Sequence, residues 1–552
     1  VEQDFYGDAP AYQEELLNSK ERNNNQLISH IFSYKIWTAK IGAETTLSLA
    51  QFITNNLQEG PNIDHQLGFT VIGGIFGGFF IYCWLKLIQI NIKESQLRLT
   101  LGIAGIASPV LILFMGHFEI YAPIIASIVF FFLRLSHFNK IRSKKNSILF
   151  ILAFIICLKF HISSWVLLPI LLVSYAQGKI ETLKFSLIKL FIPLAAIGLG
   201  AYFFVFKDYN DLRFLSGLNS YSERIFLPIF APDAPLDRYT LFHFNHIFDF
   251  FNEFFIWSPA CLFIGYVIYY FRKSINWNEL NSIQGVISSL TYLSLFFFIN
   301  PLLGMQIDWD LFFIPGIALL SSFILILGNW ETPNTINLTP VVLGLSLFCI
   351  PAIASSHDSD MLSQRLISVG QDSFKGYWIG SVNTIKNGVK IRSQDLDYVI
   401  KNLENSITEI EPYALQEKDI EMARLHQELG KVYRKRKKNY PAALKHHLLS
   451  YDYYPQNGTN LIGLTESYYL SKDFVSAYNV SKILVQYNFP SALQARRMAI
   501  HTSLEASLKN ESYKQVKSYL EIDPKDKLML FVKKELELGT PTSILVRNFN
   551  SK

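Results

Sequence analysis

Cysteine is scarce in this chain, four residues in 552, and Cys83, Cys157, Cys261 and Cys349 all sit inside apolar runs. There they read as small hydrophobic side chains, which excludes a disulfide framework or a zinc set and leaves the redox compartment open. A Walker-type loop and a glycine-rich dinucleotide fingerprint are also missing, so nucleotide chemistry has no support. No stripe of basic and aromatic residues calls for nucleic acid. The sequence opens at Val1 on a polar stretch without a signal peptide, and a preceding helix or signal is expected ahead of it.

What is present is apolar. Half of the residues are hydrophobic, 15% are aromatic, and phenylalanine leads with 45 copies. Apolar runs fill residues 67–355, which predicts an α-helical polytopic membrane protein of about 10–11 transmembrane helices. Candidate spans lie at 67–90, 100–115, 119–134, 147–160, 163–177, 185–206, 251–271, 280–299, 311–328 and 338–355. Several fall short of the ~20 residues that cross a bilayer, and short helices meeting at a cavity are one way to open a half-depth site. Residues 1–66 form a first loop in which Leu27, Ile28, Ile31, Phe32, Ile36 and Trp37 repeat at helical spacing, as amphipathic surface helices do.

Basic residues set the orientation. Lys93, Arg98, Arg134, Lys140, Arg142, Lys144, Lys145, Lys179, Lys184, Arg272 and Lys273 fall in loops on one side. The loops at 116–119 and 300–310 carry none, and 159–164 carries only Lys159. The first set is therefore expected in the cytoplasm, in a bacterial inner membrane. Residues 1–66, the large loop 207–250 and everything after 355 are then extracytoplasmic. If 147–177 were one kinked span instead of two, the second half of that topology would invert.

From 356 to 552 the composition turns polar and helical. Ala443 and Ala477 are 34 residues apart, Pro455 and Pro490 35 apart, and a third unit can end at Pro524. This spacing resembles the tetratricopeptide repeat, in which small residues let paired helices pack, and it predicts a C-terminal α-solenoid.

Acids and histidines inside or at the edges of the apolar segments are few and fall on the side opposite the basic set, so they mark candidate chemistry. Asp8, in Tyr6-Gly7-Asp8-Ala9-Pro10, can act as a general base or simply cap a turn. His117 and Glu119 share a tight turn, Gly116-His117-Phe118-Glu119, which can hold a metal, a sugar or a phosphate, or be a solvated turn. Lys159 and His161 can meet a phosphate, or Lys159 can snorkel. Asp308 and Asp310 can bind a divalent ion or a cationic transition state, or one can cap the next helix. In the large loop Arg224 and Arg238 suit phosphate oxygens. His243 and His246 have i, i+3 spacing, for which an interfacial aromatic helix is the plainer reading than a metal.

This order of features over residues 1–355 resembles the GT-C superfamily of membrane glycosyltransferases, which use polyprenyl-phosphate-linked sugars. Tyr6-Gly7-Asp8 stands where such enzymes carry a catalytic aspartate after the first membrane helix, and Gly116-His117-Phe118-Glu119 stands in their second outer loop. With the repeat-like tail, the chain is similar to transmembrane O-mannosyltransferases that carry tetratricopeptide repeats. The first membrane helix is missing, and the second loop has one acid where several branches have a pair, which leaves a divalent metal open as cofactor. The resemblance implies sugar transfer from a polyprenyl-phosphate carrier to a protein or glycan acceptor on the extracytoplasmic face. Asp8, His117 and Glu119 would be catalytic; Lys159, His161, Arg224, Arg238, Asp308 and Asp310 would bind substrate. The competing reading is a non-catalytic membrane-anchored scaffold of an envelope complex, its repeats serving as the docking surface.

Overall fold

The structure is a computed structural model. It describes residues 27–28, 39–57, 66–114, 120–176, 227, 240–299, 312–331, 337–347, 358–376, 380–414 and 419–550. Among these there is no strand; all regular structure is helical, with one isolated bridge between Ile275 and Trp330. The chain divides into two compact units, residues 1–362 and 363–552.

The first unit is a helical bundle. Its helices are α1 (Ala39–Leu57), α2 (Gln66–Asn91), α3 (Ser95–Ile106), α4 (Ala122–Lys140), α5 (Lys144–Phe160), α6 (Leu168–Tyr175), α7 (Phe244–Trp257), α8 (Pro259–Tyr270), α9 (Leu280–Phe298), α10 (Phe313–Leu327) and α11 (Thr339–Leu347). Among the described residues two helical stretches are long and apolar enough to cross a membrane, Leu67–Asn91 and Ala122–Lys140. Shorter apolar stretches are Ile162–Tyr175, Pro259–Tyr270 and Phe313–Leu327.

Helix ends alternate between the two ends of this bundle. Buried amides and hydroxyls tie the basic end together. Asn91 donates to Ser136 Oγ (2.9 Å), Asn139 to Gln284 Oε1 (2.7 Å), Gln284 to Ser174 Oγ (2.7 Å) and Asn329 to Ser282 Oγ (2.9 Å). These bonds join the C-termini of α2, α4, α6 and α10 to the N-terminus of α9. Each satisfies polar atoms that burial would otherwise penalise by about 1–3 kcal/mol. Close packing supports the same geometry: a Cβ at Gly285 of α9 would lie 2.7 Å from the Ser322 carbonyl of α10, so only glycine lets these helices approach so far.

Residues 147–176 form two arms rather than one kinked helix. Helix α5 ends at Phe160, the chain turns at His161, and a 3-10 segment (Ile162–Leu167) leads into α6. Tyr175 Oη then returns to within 2.6 Å of Ser147 Oγ, one turn from the start of α5. The expected span 251–271 is broken instead. Pro259 removes an amide donor and pushes Ser258 to φ −167°, ψ 96°, so α7 stops and α8 begins afresh.

The second unit opens with α12 (Ser359–Gly376), whose first turn holds the boundary, followed by α13 (Ser381–Ile391) and α14 (Leu396–Ile410). It continues with α15 (Ile420–Val432), α16 (Tyr440–Tyr453), α17 (Gly458–Leu470), α18 (Phe474–Tyr487), α19 (Ala492–Glu505), α20 (Lys509–Ile522), α21 (Lys527–Glu537) and α22 (Thr542–Asn550). From α15 to α21 each helix packs on the next, and α22 returns to lie on α19. Side-chain caps start most of them: Asp419 accepts from Met422 N, Asn457 from Asn460 N and Asp473 from Ser476 N.

Ala443 and Ala477 are fully buried. Leucine at position 477 would overpack the contact of α18 with its neighbours, and urea denaturation is expected to report a loss of about 1–3 kcal/mol. An unchanged midpoint would contradict a tight contact there. Four aromatic rings stack across α15 and α16: Tyr433 on His446 (5.7 Å), His446 on His426 (5.4 Å) and His426 on Tyr453 (5.8 Å). Beside them His447 inserts between helices at Gly430 and Gly463, where a Cβ on Gly463 would meet the imidazole at 2.4 Å.

Candidate functional site

The end of the bundle opposite the basic loops collects the segments that flank the sequence-predicted residues. Helix α2 is 26 residues long, about 39 Å at 1.5 Å per residue. The chain following α5 turns back well short of its start, because Phe160 packs against Phe76 (5.6 Å), ten residues into α2. The turn at His161 therefore lies about 15 Å inside the start of α2.

Of the predicted site residues, Lys159 and His161 are described; Asp8, His117, Glu119, Arg224, Arg238, Asp308 and Asp310 lie outside the described residues. Their flanks are informative. Tyr121, two residues after Glu119, sets its ring 5.8 Å from the His161 imidazole. Tyr121 and His161, forty residues apart, thus meet. His161 Nδ1 accepts the Ser163 amide N–H (3.2 Å) and lies 2.7 Å from Ser163 Oγ. An accepting Nδ1 makes Nε2 the protonated nitrogen of the neutral ring, a donor suited to a phosphate or sugar oxygen. Lys159, two residues earlier, is within electrostatic reach of Glu44 on α1.

Helix α7 supplies the polar groups that sequence reasoning set aside. His246 and Glu253 are fully buried and Asp249 nearly so, at i, i+3 and i+7 along one face. The opposite face carries Phe244, Phe248, Phe251 and Phe255, each more than half exposed. His246 Nε2 donates to the Phe297 carbonyl at the end of α9 (2.9 Å), and the ring stacks near Phe297 (5.1 Å). Helix α7 also touches the 3-10 segment Pro109–Phe114, which precedes Glu119 in the chain, and α10, which follows Asp308. His243 accepts the Asn245 amide at the helix start, a capping contact (3.2 Å). The His243 and His246 pair is thus divided between a cap and a carbonyl, in line with the plainer reading of that spacing. The signal for the buried acids was in the sequence: three polar residues at helical spacing inside a helix otherwise rich in phenylalanine.

This arrangement can neutralise and orient an anionic group. The His161 imidazole and the Tyr121 ring come together two residues along the chain from Lys159, among apolar helices where a low dielectric strengthens each contact. Among the described residues no group of three His, Cys, Asp or Glu side chains is arranged to hold a metal ion. Comparison with known proteins adds no assignment: no family model and no curated protein matches this chain.

Proposed function

We propose that this chain is a glycosyltransferase of the GT-C kind, which moves a sugar from a polyprenyl-phosphate carrier to a protein or glycan acceptor on the extracytoplasmic face of a membrane. Residues 67–355 would be the polytopic core and the C-terminal unit a tetratricopeptide-like acceptor platform. Asp8 would take the acceptor proton, with His117 and Glu119 orienting the acceptor or a divalent metal. Lys159, His161, Arg224 and Arg238 would face the departing phosphate, and Asp308 and Asp310 the rim of the cavity.

The observation that carries this reading is the inside-out pattern of α7. Burying a phenylalanine is worth about 1.5–3 kcal/mol, so four facing water would forfeit about 6–12 kcal/mol, as much as a whole domain's stability. Facing hydrocarbon they forfeit nothing. Helix α5 repeats the pattern, with Ile148, Ile151, Leu152 and Ile155 exposed along one stripe and Phe150, Ala153 and Cys157 packed inside. At the other end of the bundle Tyr266, Tyr269 and Tyr270 are exposed beside Arg272, whose guanidinium lies 4.4 Å from the Tyr269 ring, as in an interfacial belt.

Cysteine-accessibility labelling tests the topology. Lys140→Cys is expected to react only from the cytoplasmic side and Asn510→Cys only from the opposite side; labelling of both from one side would overturn the assignment. The scaffold reading keeps the membrane anchor and gives up the chemistry. It predicts that the acids are solvated separately and that no sugar moves.

A further inference from the structure

The C-terminal unit contains a cavity of about 490 Å³ between α17, α19 and α22, within the range of about 300–1,000 Å³ usual for small-ligand sites. One wall is a run of half-buried rings. Tyr469 lies 5.2 Å from His501, and His501 stacks on Phe549 at 5.2 Å and 11°. Met498 and Leu470 extend that wall. The rim holds Arg434, Glu466, Gln494 and Arg497.

The charges of this rim are already matched. Arg434 pairs with Glu466, and Arg497 donates to Asp526 Oδ2 (2.6 Å) and to Tyr519 Oη (2.9 Å). An acidic or basic ligand would therefore compete with a carboxylate or a guanidinium in place. A ligand whose groups both donate and accept can bridge each pair without separating it.

A largely apolar wall of rings beside a few charge-balanced donors and acceptors suits a saccharide, whose C–H groups pack on rings while its hydroxyls donate and accept. We infer that the groove between α17 and α19 binds a neutral sugar chain, with Tyr469, His501 and Phe549 as the stacking wall and Arg434, Glu466 and Gln494 reading the hydroxyls. This deepens the proposed transfer reaction, on which it rests for one point only, that the sugar belongs to the acceptor.

The test uses the full-length protein in nanodiscs with ¹³C-methyl methionine, the Met498 signal being assigned through Met498→Leu. Mannotriose, cellotriose and chitotriose are titrated separately to about 20 mM, enough to detect binding of only a few kcal/mol. Saturable movement of the Met498 signal with at least one of them is expected. Tyr469→Leu should weaken that binding by about tenfold or more, while Tyr469→Phe, which keeps the ring, should retain it. The inference is overturned if none of the three sugars moves the signal, or if Tyr469→Leu binds as well as wild type. It is equally overturned if the dipeptide N-acetyl-Asp-Phe-amide moves Met498 and the sugars do not. Sugar binding without any transfer activity would sink the enzymatic reading and leave the groove standing, and the converse result would do the opposite.

Discussion

Asp8→Asn is expected to leave the fold and the binding of lipid carrier intact and to lower sugar transfer by about 10²–10⁴-fold, the usual contribution of a general base. Asparagine keeps the shape and most of the hydrogen bonding of aspartate but cannot accept the acceptor proton. The measurement is transfer of a labelled sugar from its lipid carrier in reconstituted membranes, wild type against variant, with carrier binding measured in parallel. Equal rates would remove Asp8 as the base and favour the scaffold.

Acidification is expected to destabilise the C-terminal unit. Burial pushes His426 down to about 3 and both His446 and His447 down to about 4, from an ordinary value near 6.5. Neighbouring positive charge, Lys445 among it, pushes the same way. The geometry explains why the rings resist a proton. His426 Nδ1 lies 3.1 Å from His446 Nδ1, so at most one of the two nitrogens can carry hydrogen, and His426 Nε2 and His447 Nε2 are buried without a hydrogen-bond partner.

Because these folded values lie below the unfolded ones, the unfolded chain binds more protons once the pH drops below about 6.5. Stability is fully present above that pH and is lost as the pH falls toward about 4, at up to roughly 1.4 kcal/mol per pH unit for each histidine. Glu421 opposes the trend, since its burial raises its value, but it is one group against three. Urea titrations of the full-length protein at pH 7, 6 and 5, followed by circular dichroism, should show the transition of this unit moving steadily to lower urea. A midpoint that holds or rises on acidification would contradict the account.

The bundle's helices were legible where apolar runs were long or bounded by punctuation. The expected 280–299 and 311–328 correspond to α9 (Leu280–Phe298) and α10 (Phe313–Leu327). The turn at His161 was legible too, because a lysine and a histidine interrupt two apolar stretches. The break at Pro259 was missed, since the apolar run continues through it and hydropathy is blind to a lost amide donor. The meeting of Tyr121 with His161 was not legible, for it depends on how α4 packs on α5. Nor was the role of α7: its phenylalanines suggested an interfacial helix, and only the packing separates the polar face from the apolar one. In the C-terminal unit the spacing of Ala443 and Ala477 marked buried positions, whereas the ring wall of Tyr469, His501 and Phe549 joins three separate helices and leaves no local pattern.

The central claim is that separated segments form one phosphate-binding chamber at the end of the bundle opposite the basic loops. The most direct measurement is an experimental structure of the protein in nanodiscs with bound polyprenyl phosphate. The account predicts the phosphate beside His161 and the 116–121 turn, with Asp8 and Glu119 lining the same cavity. A phosphate bound elsewhere, with Asp8 and Glu119 more than ~15 Å apart and so beyond catalytic hydrogen-bond reach, would contradict it.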